Sequence, residues 1–304
     1  MKIAILVPCY NEALTIKQVI SDFREQVPEA SIYVYDNNST DDTYQIAIEN
    51  GAIVKKEFQQ GKANVVRSMF WQIDADVYIM VDGDNTYPAN EVKKLLNIFF
   101  ERNCDMVVGD RLSNGTYRKE NKRNFHGFGN NLVKSLINFI FKSELNDIMS
   151  GYRVFSKRFV KSYPVLCKGF EIETEMTIFA LNNYLSIAEV PIDFKDRPEG
   201  SFSKLNTLSD GRKVLLTILN LFRHYKPLQF FGVIALVFFL LSIISGLPAI
   251  IEYFKYNYVY RVPLAILASG LMLLSFLTFS IGLILDTISI NDKKQMQQKL
   301  NDRL

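Results

Sequence analysis

The sequence predicts an α/β chain: a mostly parallel, Rossmann-like sheet covered by helices on both faces, then an amphipathic helix and two membrane-crossing helices. Three observations predict it. Short apolar runs rich in β-branched and aromatic residues alternate with segments of helical period through the first two thirds. Several of these runs stop at an acid, where a strand edge would meet a ligand crevice. The last third holds two stretches without a single charge, 230–251 and 262–285, each long enough to span a bilayer.

Lys2-Ile3-Ala4-Ile5-Leu6-Val7 reads as a buried first strand. Pro8-Cys9-Tyr10-Asn11-Glu12 follows, then an amphipathic helix from about Ala13 to Gln26 with Ile16, Val19, Ile20 and Phe23 on one face and Asn11 as its expected N-cap. Ser31 to Asp36 is a second strand ending in an acid, and Asn37 to Thr43 is a polar loop before another helix. Ile53 to Phe58 is a third strand, and Gly61-Lys62 opens a helix. Ala75 to Val81 is the fourth, and Asp82-Gly83-Asp84 closes it. Two carboxylates that close repel unless a cation lies between them, and hard divalent ions take carboxylate and diphosphate oxygens together. The same residues also read as a polar turn entering a helix near Pro88. Val107 to Arg111 is a strand that delivers an arginine, and Asn130 to Phe141 is an apolar helix.

Composition bounds the function. The 304 residues are 48% hydrophobic and 13% aromatic, enough for one sizeable core plus an appendage. A net charge of +3 is too mild to argue for nucleic acid. Cys9, Cys104 and Cys167 have no metal or redox spacing and suit a reducing compartment. Met1-Lys2 leads directly into a strand, so no cleavable signal is expected. There is no glycine-rich dinucleotide fingerprint after the first strand and no complete phosphate-binding loop around Gly61-Lys62.

Domain boundaries follow: a catalytic domain over 1–206, a basic amphipathic helix over 207–229, and a membrane hairpin with its tail over 230–304. Arg212, Lys213, Arg223 and Lys226 precede the first span, and Lys293, Lys294, Lys299 and Arg303 follow the second. The connector between spans holds only Lys255 and Arg261 among its tyrosines. The positive-inside rule then puts both termini, and the catalytic domain, on the cytoplasmic side of the plasma (inner) membrane. The helix before the first span is suited to the headgroup layer.

Four motifs in order, Pro8-x-Tyr10-Asn11-Glu12, Asp36-x-x-Ser39-x-Asp41, Gly61-Lys62 and Asp82-x-Asp84, resemble those of family 2 inverting glycosyltransferases. That resemblance implies a GT-A fold, a nucleotide-sugar donor and Mg²⁺ or Mn²⁺. It implies that Asp36 contacts the base, that Asp82 lies near ribose or metal, and that Asp84 binds metal and diphosphate. Pro8, Tyr10, Glu12, Ser39 and Lys62 complete the expected donor side, with Asp82 and Asp84 as metal ligands.

Downstream, Arg111, the basic segment Arg118 to His126, Asp147-Ile148-Met149-Ser150-Gly151-Tyr152-Arg153 and Arg197 to Leu205 resemble the polyprenyl-phosphate subgroup, including bacterial members with a terminal membrane hairpin. The resemblance implies transfer of a hexose to undecaprenyl phosphate with inversion, with UDP-glucose the favoured donor and UDP-N-acetylhexosamine or GDP-mannose left open. In it Arg111 and Arg123, with Arg118 and His126 as weaker members, bind the acceptor phosphate. Asp147 acts beside the sugar and acceptor, and Arg197, Ser203 and Lys204 belong to a loop closing over the donor. Asp84, Asp147 and Arg111 are thus the expected catalytic residues. Glu171 and Glu173 read only as acids favouring a helix start. A homo-oligomer packed through its hairpins is expected. Three alternatives stay open: a processive polysaccharide synthase, a nucleotidyltransferase, and a catalytically silent membrane scaffold. Against the first stand Trp71 as the only tryptophan, preceded by Phe70, and just two spans.

Overall fold

A computed structural model describes residues 1–115, 126–169, 171–198, 200 and 207–301. The chain divides into two compact units, Met1–Ile218 and Leu219–Leu304.

The first unit is built on a sheet of strands β1 (Ile3–Cys9), β2 (Ser31–Asp36), β3 (Ile53–Lys56), β4 (Val77–Met80), β5 (Met106–Asp110), β6 (Arg153–Ser156) and β7 (Ile187–Pro191). Their order is β3-β2-β1-β4-β6-β5-β7. Neighbours are parallel except β6, which runs antiparallel to both β4 and β5. Every residue of β1 is buried, as a strand covered on both faces by crossover helices must be.

Helices α1 (Ile16–Gln26), α2 (Thr43–Glu49), α3 (Lys62–Gln72), α4 (Val92–Glu101), α5 (His126–Phe141), α6 (Lys157–Ser162) and α7 (Ile172–Asn182) connect the strands. Alternation along β4 sorts two cores. Val77 and Ile79 join Ile5, Ile20, Phe23 and Leu95 in one cluster. Tyr78 points the other way, into an aromatic layer where Phe70 meets Phe155 at 5.6 Å and Phe155 stacks on Phe159 at 4.8 Å. Full burial of one such ring contributes about 1.5–3 kcal/mol.

The chain lays down β1, β2 and β3 in one direction and returns to place β4 on the other side of β1. That reversal opens a crevice beyond the carboxyl ends of β1 and β4, the position where doubly wound sheets hold ligands. Tyr10, Asn11 and Glu12 leave β1 there, and Asp82 to Asp84 leave β4.

Two expectations need correction. Helix α1 begins at Ile16, with Thr15 at its N-cap position. Asn11 is no cap: it takes φ +53, and its Oδ1 accepts from Thr40 N–H at 2.8 Å, tying two loops together. Strands β6 and β7 are not among the elements expected from the sequence; β6 follows directly on the motif from Asp147 to Arg153.

In the second unit, α9 (Pro227–Tyr256) and α10 (Val262–Asn301) form an antiparallel pair; α8 (Thr207–Tyr225) carries the division between units. Both helices run beyond their apolar stretches into charged ends such as Lys255 and Asp292. Ser242 Oγ donates to Ala268 O and Ser275 Oγ to Ala235 O, each at 2.8 Å. Gly246 faces Ala268 so closely that an added Cβ would lie 3.2 Å from it. Small residues and hydroxyl bonds of this kind join helices in lipid, where apolar burial gives no drive. Outward residues such as Val233, Ile244, Leu273 and Phe276 are exposed. Both helices are long and apolar enough to cross a membrane.

Candidate active site

Asp36 ends β2 with no exposed surface. One carboxylate oxygen accepts from Ser39 N–H at 3.1 Å, and the other is buried with no hydrogen-bond partner among the described residues. An unpaired buried acceptor is costly unless a ligand supplies the donor. Ser39 Oγ in turn accepts from Asn11 N–H at 2.8 Å, so the first two motifs brace each other. Asn37 pins the next motif: its amide donates to Glu57 O and Gln59 O and accepts from Gly61 N–H at 2.8 Å. Gly61 takes φ +129, and a Cβ there would lie 2.0 Å from Lys168 O. Only glycine lets the two backbones approach this closely.

Lys62 starts α3 and sends its ammonium between Asp82 Oδ1 and Glu173 Oε1, each at 2.5 Å. Burial alone lowers its pKa, but the two carboxylates outweigh burial and raise it well above the ordinary lysine range. Asp82 Oδ2 faces Gly151, where an added Cβ would stand 2.6 Å away. Gly83 is equally confined, with Cys9 Sγ 2.6 Å from the place of a Cβ, and its carbonyl accepts from Thr15 Oγ at 2.6 Å. Asp84 Oδ1 is fixed by Thr86 N–H and Oγ1 at 3.1 and 2.7 Å. Its Oδ2 meets Arg197 Nη2 at 2.5 Å, and Arg197 Nη1 reaches Glu12 at 3.4 Å. Pro8 is buried in β1, and Tyr10 is half-buried just beyond it.

Arg111 follows β5 and forms a bidentate pair with Asp147, Nε to Oδ2 at 2.7 Å and Nη2 to Oδ1 at 2.9 Å; its main-chain N–H adds a third bond at 3.0 Å. The guanidinium lies 5.9 Å from the Tyr87 ring and 5.8 Å from that of Phe194. Burial pushes the Tyr87 phenol up to about 12, so it stays protonated, and its oxygen accepts from Gly151 N–H at 2.9 Å. Glu189 accepts from the N–H groups of Asn146 and Asp147 and so anchors the Asp147 loop from below. Arg153, wholly buried, grips the same loop by donating to Ile148 O and Ser150 O at 2.6 and 2.8 Å and to Thr177 Oγ1 at 2.9 Å.

The crevice thus assembles Glu12, Asp82, Asp84, Asp147 and Glu173 against Lys62, Arg111 and Arg197, an excess of carboxylates. Asp82 and Asp84 both lie against a cation of the chain itself. Hard oxygens a residue apart suit Mg²⁺ or Mn²⁺, which commonly take one or two carboxylates and fill the rest of their shell with water or phosphate. Among the described residues no three His, Cys, Asp or Glu side chains converge as a metal group.

Most expected site residues meet here: Glu12, Asp36, Ser39, Lys62, Asp82, Asp84, Arg111, Asp147 and Arg197. Arg118, Arg123, Ser203 and Lys204, with the side chain of His126, lie outside the described residues. Sequence reasoning missed Glu173 and Arg153. Glu173 lies 111 residues from its lysine partner, a pairing that no local pattern encodes.

Comparison with known proteins agrees with this fold. The model of "Glycosyl transferase family 2" matches residues 4–163. The chain is 32% identical to "Glycosyltransferase AglJ" of Haloferax volcanii, covering 97% of this chain and 96% of the relative. It is 26% identical to the "Dolichyl-phosphate hexose transferase" of the same organism, over 70% of this chain and 90% of that one. Among solved structures, glucosyl-3-phosphoglycerate synthase from Mycobacterium tuberculosis, in complex with Mn²⁺, uridine diphosphate and glucosyl-3-phosphoglycerate, superposes with a TM-score of 0.59 at 21% identity, covering 72% of this chain and 79% of that one.

Proposed function

This chain belongs to glycosyl transferase family 2, and on that premise we propose that it transfers a hexose, with UDP-glucose the favoured donor, from a nucleotide sugar to the phosphate of a membrane polyprenol, inverting the anomeric carbon. The observation that carries this reading is the pair Asp82 and Asp84 at the switch-point crevice, each against a cation of the chain, in a protein that also has two membrane-length helices.

The unpaired oxygen of buried Asp36 supplies an acceptor for an N–H of the donor base. Glycosyl transfer brings two polyanions together, so its difficulty is electrostatic. A phosphate monoester has a second pKa of about 6, so near neutrality the acceptor is largely dianionic and already nucleophilic. It needs no strong general base, and Asp147 is then a positioning acid that fixes the plane of Arg111 for the incoming phosphate. Arg197 exchanges Asp84 for the donor diphosphate. Asp82 and Asp84 would hold a divalent ion, which when bound supplies charge neutralisation to the leaving diphosphate. By the family resemblance, the reading also assigns Arg118, Arg123 and His126 to the acceptor phosphate and Ser203 and Lys204 to the donor.

The domain boundaries, the cytoplasmic side of the catalytic unit and assembly through the hairpins belong to the same reading. A relative named for dolichyl phosphate and membrane-length helices support it. Radiolabelled nucleotide sugars are screened with undecaprenyl phosphate, and product is extracted into organic solvent. Wild type labels the lipid from one donor class, and Asp84→Ala lowers transfer by at least 10²-fold, as loss of a charge-stabilising group does. Transfer that persists in Asp84→Ala overturns the metal assignment. A wild type that labels nothing from any donor overturns the function.

A further inference from the structure

We propose that Glu173 is a positioning residue for the donor site: it holds Lys62 so that Asp82 keeps one oxygen available to the donor's cation. The proposal rests on the function argued above and adds a residue to it. Lys62 would otherwise be free to neutralise Asp82 completely. Instead its ammonium is divided between Asp82 Oδ1 and Glu173 Oε1 at equal distances of 2.5 Å. Glu173 is 5% exposed and lies in the first turn of α7, where the helix N-terminus favours an anion. Its carbonyl accepts from Thr177 Oγ1, and Thr177 accepts from Arg153, so the α7 turn is tied to the loop that carries Asp147. Lys62 is likewise fixed at the base of its stem, because Gly61 is wedged under Lys168 O. With both ends constrained, the lysine contacts Asp82 through Oδ1, while Oδ2 lies toward Gly151.

Removing the charge of Glu173 while keeping its shape gives Asp82 the whole ammonium. Asp82 becomes a poorer donor to a cation, although no group that touches the cation or the sugar has changed. A second, nonspecific effect also follows, because one negative charge near the crevice is lost. The two are separable, since only the first needs Lys62.

Purified wild type, Glu173→Gln, Lys62→Met and the double variant are titrated with Mn²⁺ in saturating uridine diphosphate, with free Mn²⁺ read by electron paramagnetic resonance. Steady-state transfer and the thermal midpoint are measured alongside. Glu173→Gln is expected to weaken Mn²⁺ binding about tenfold, a change of the size that outer-shell partners commonly cause. Its kcat at saturating Mn²⁺ should stay within about threefold of wild type, with the thermal midpoint kept. In the Lys62→Met background the same substitution should weaken Mn²⁺ by less than about twofold, since contacts that act through one shared partner do not add. A tenfold effect that persists without Lys62 overturns the proposal in favour of simple long-range charge. Unchanged Mn²⁺ binding in Glu173→Gln, or a loss that appears only as a lower melting temperature, overturns it as well. Wild type that takes up no Mn²⁺ beside uridine diphosphate overturns the metal assignment and this proposal together; wild type that binds it and a silent Glu173→Gln overturn this proposal alone.

Discussion

The pair of Arg111 and Asp147 is almost fully withdrawn from water, with side-chain exposures of 11% and 1%, and its two members are not equally provided for. Replace Arg111 by Met, and the Asp147 carboxylate loses two charged bonds at 2.7 and 2.9 Å, keeping from that residue only the main-chain donor at 3.0 Å. An uncompensated buried charge costs about 3–5 kcal/mol. Replace Asp147 by Asn instead, and the guanidinium keeps an amide oxygen and the Tyr87 and Phe194 rings at 5.9 and 5.8 Å. That loss is about 1.5–3 kcal/mol, the value of bonds to a charged group. The double variant has no charge left to bury, so its cost should not exceed that of Arg111→Met alone, which makes the coupling at least the Asp147→Asn cost of about 1.5–3 kcal/mol. Urea unfolding in detergent, followed by circular dichroism, gives all four stabilities. If the single costs simply add, the two side chains do not act as a pair, and Asp147 has to be reassigned from positioning to direct chemistry.

Gly61→Ala forces a Cβ to within 2.0 Å of Lys168 O, so the backbones have to part by more than 1 Å to reach ordinary contact at 3.4 Å. Lys62 moves with them, and because such a misplacement can cost 10²-fold, kcat/KM should fall by about that factor; steady-state transfer at wild-type rate would show that the approach is dispensable. The pH dependence follows from the raised pKa of Lys62. A base whose folded pKa exceeds its unfolded value contributes stability that is fully present below the unfolded value, 10.5 for a lysine, and is lost only as pH rises through the folded one. Transfer and folding should therefore show no lysine-dependent decline between pH 7 and about 9.5, more than half a unit below the ordinary lysine value; a decline there that Lys62→Arg removes refutes the argument.

Much of the fold was legible because its strands are short, apolar and bounded. β1, β2 and β4 all follow from apolar runs that stop at a polar or acidic residue. α1 was legible from the spacing of Ile16, Val19, Ile20 and Phe23, all of which are buried. Its start was not, because Asn11 has the chemistry of a cap but adopts φ +53 to brace the Thr40 loop. The sequence also could not reveal which acid meets which cation. Lys62 with Glu173, Arg197 with Asp84 and Arg111 with Asp147 are all brought together by the order of strands, not by local spacing. Glu173 looked like an ordinary helix-start acid, and it is one, yet it also faces a lysine from another helix.

The two cations against the Asp-x-Asp acids differ in a way that orders the proposed events. Lys62 is held by two carboxylates from different elements and is 11% exposed, so moving it would strand the buried charge of Glu173 and the partly buried one of Asp82. Arg197 stands on the segment after β7 and is 20% exposed, and its guanidinium meets Asp84 at 2.5 Å and Glu12 at 3.4 Å. The more exposed of the two is the side chain that the proposed reading requires to move. A donor diphosphate brings negative charge to a crevice already rich in carboxylates, and it can offer Arg197 a bidentate partner in place of Asp84. Asp84, once Arg197 turns to the diphosphate, would be free to hold a divalent ion, whose charge would replace that of the guanidinium. Metal and donor are therefore expected to bind with positive coupling, each tightening the other, while Lys62 stays where Glu173 keeps it.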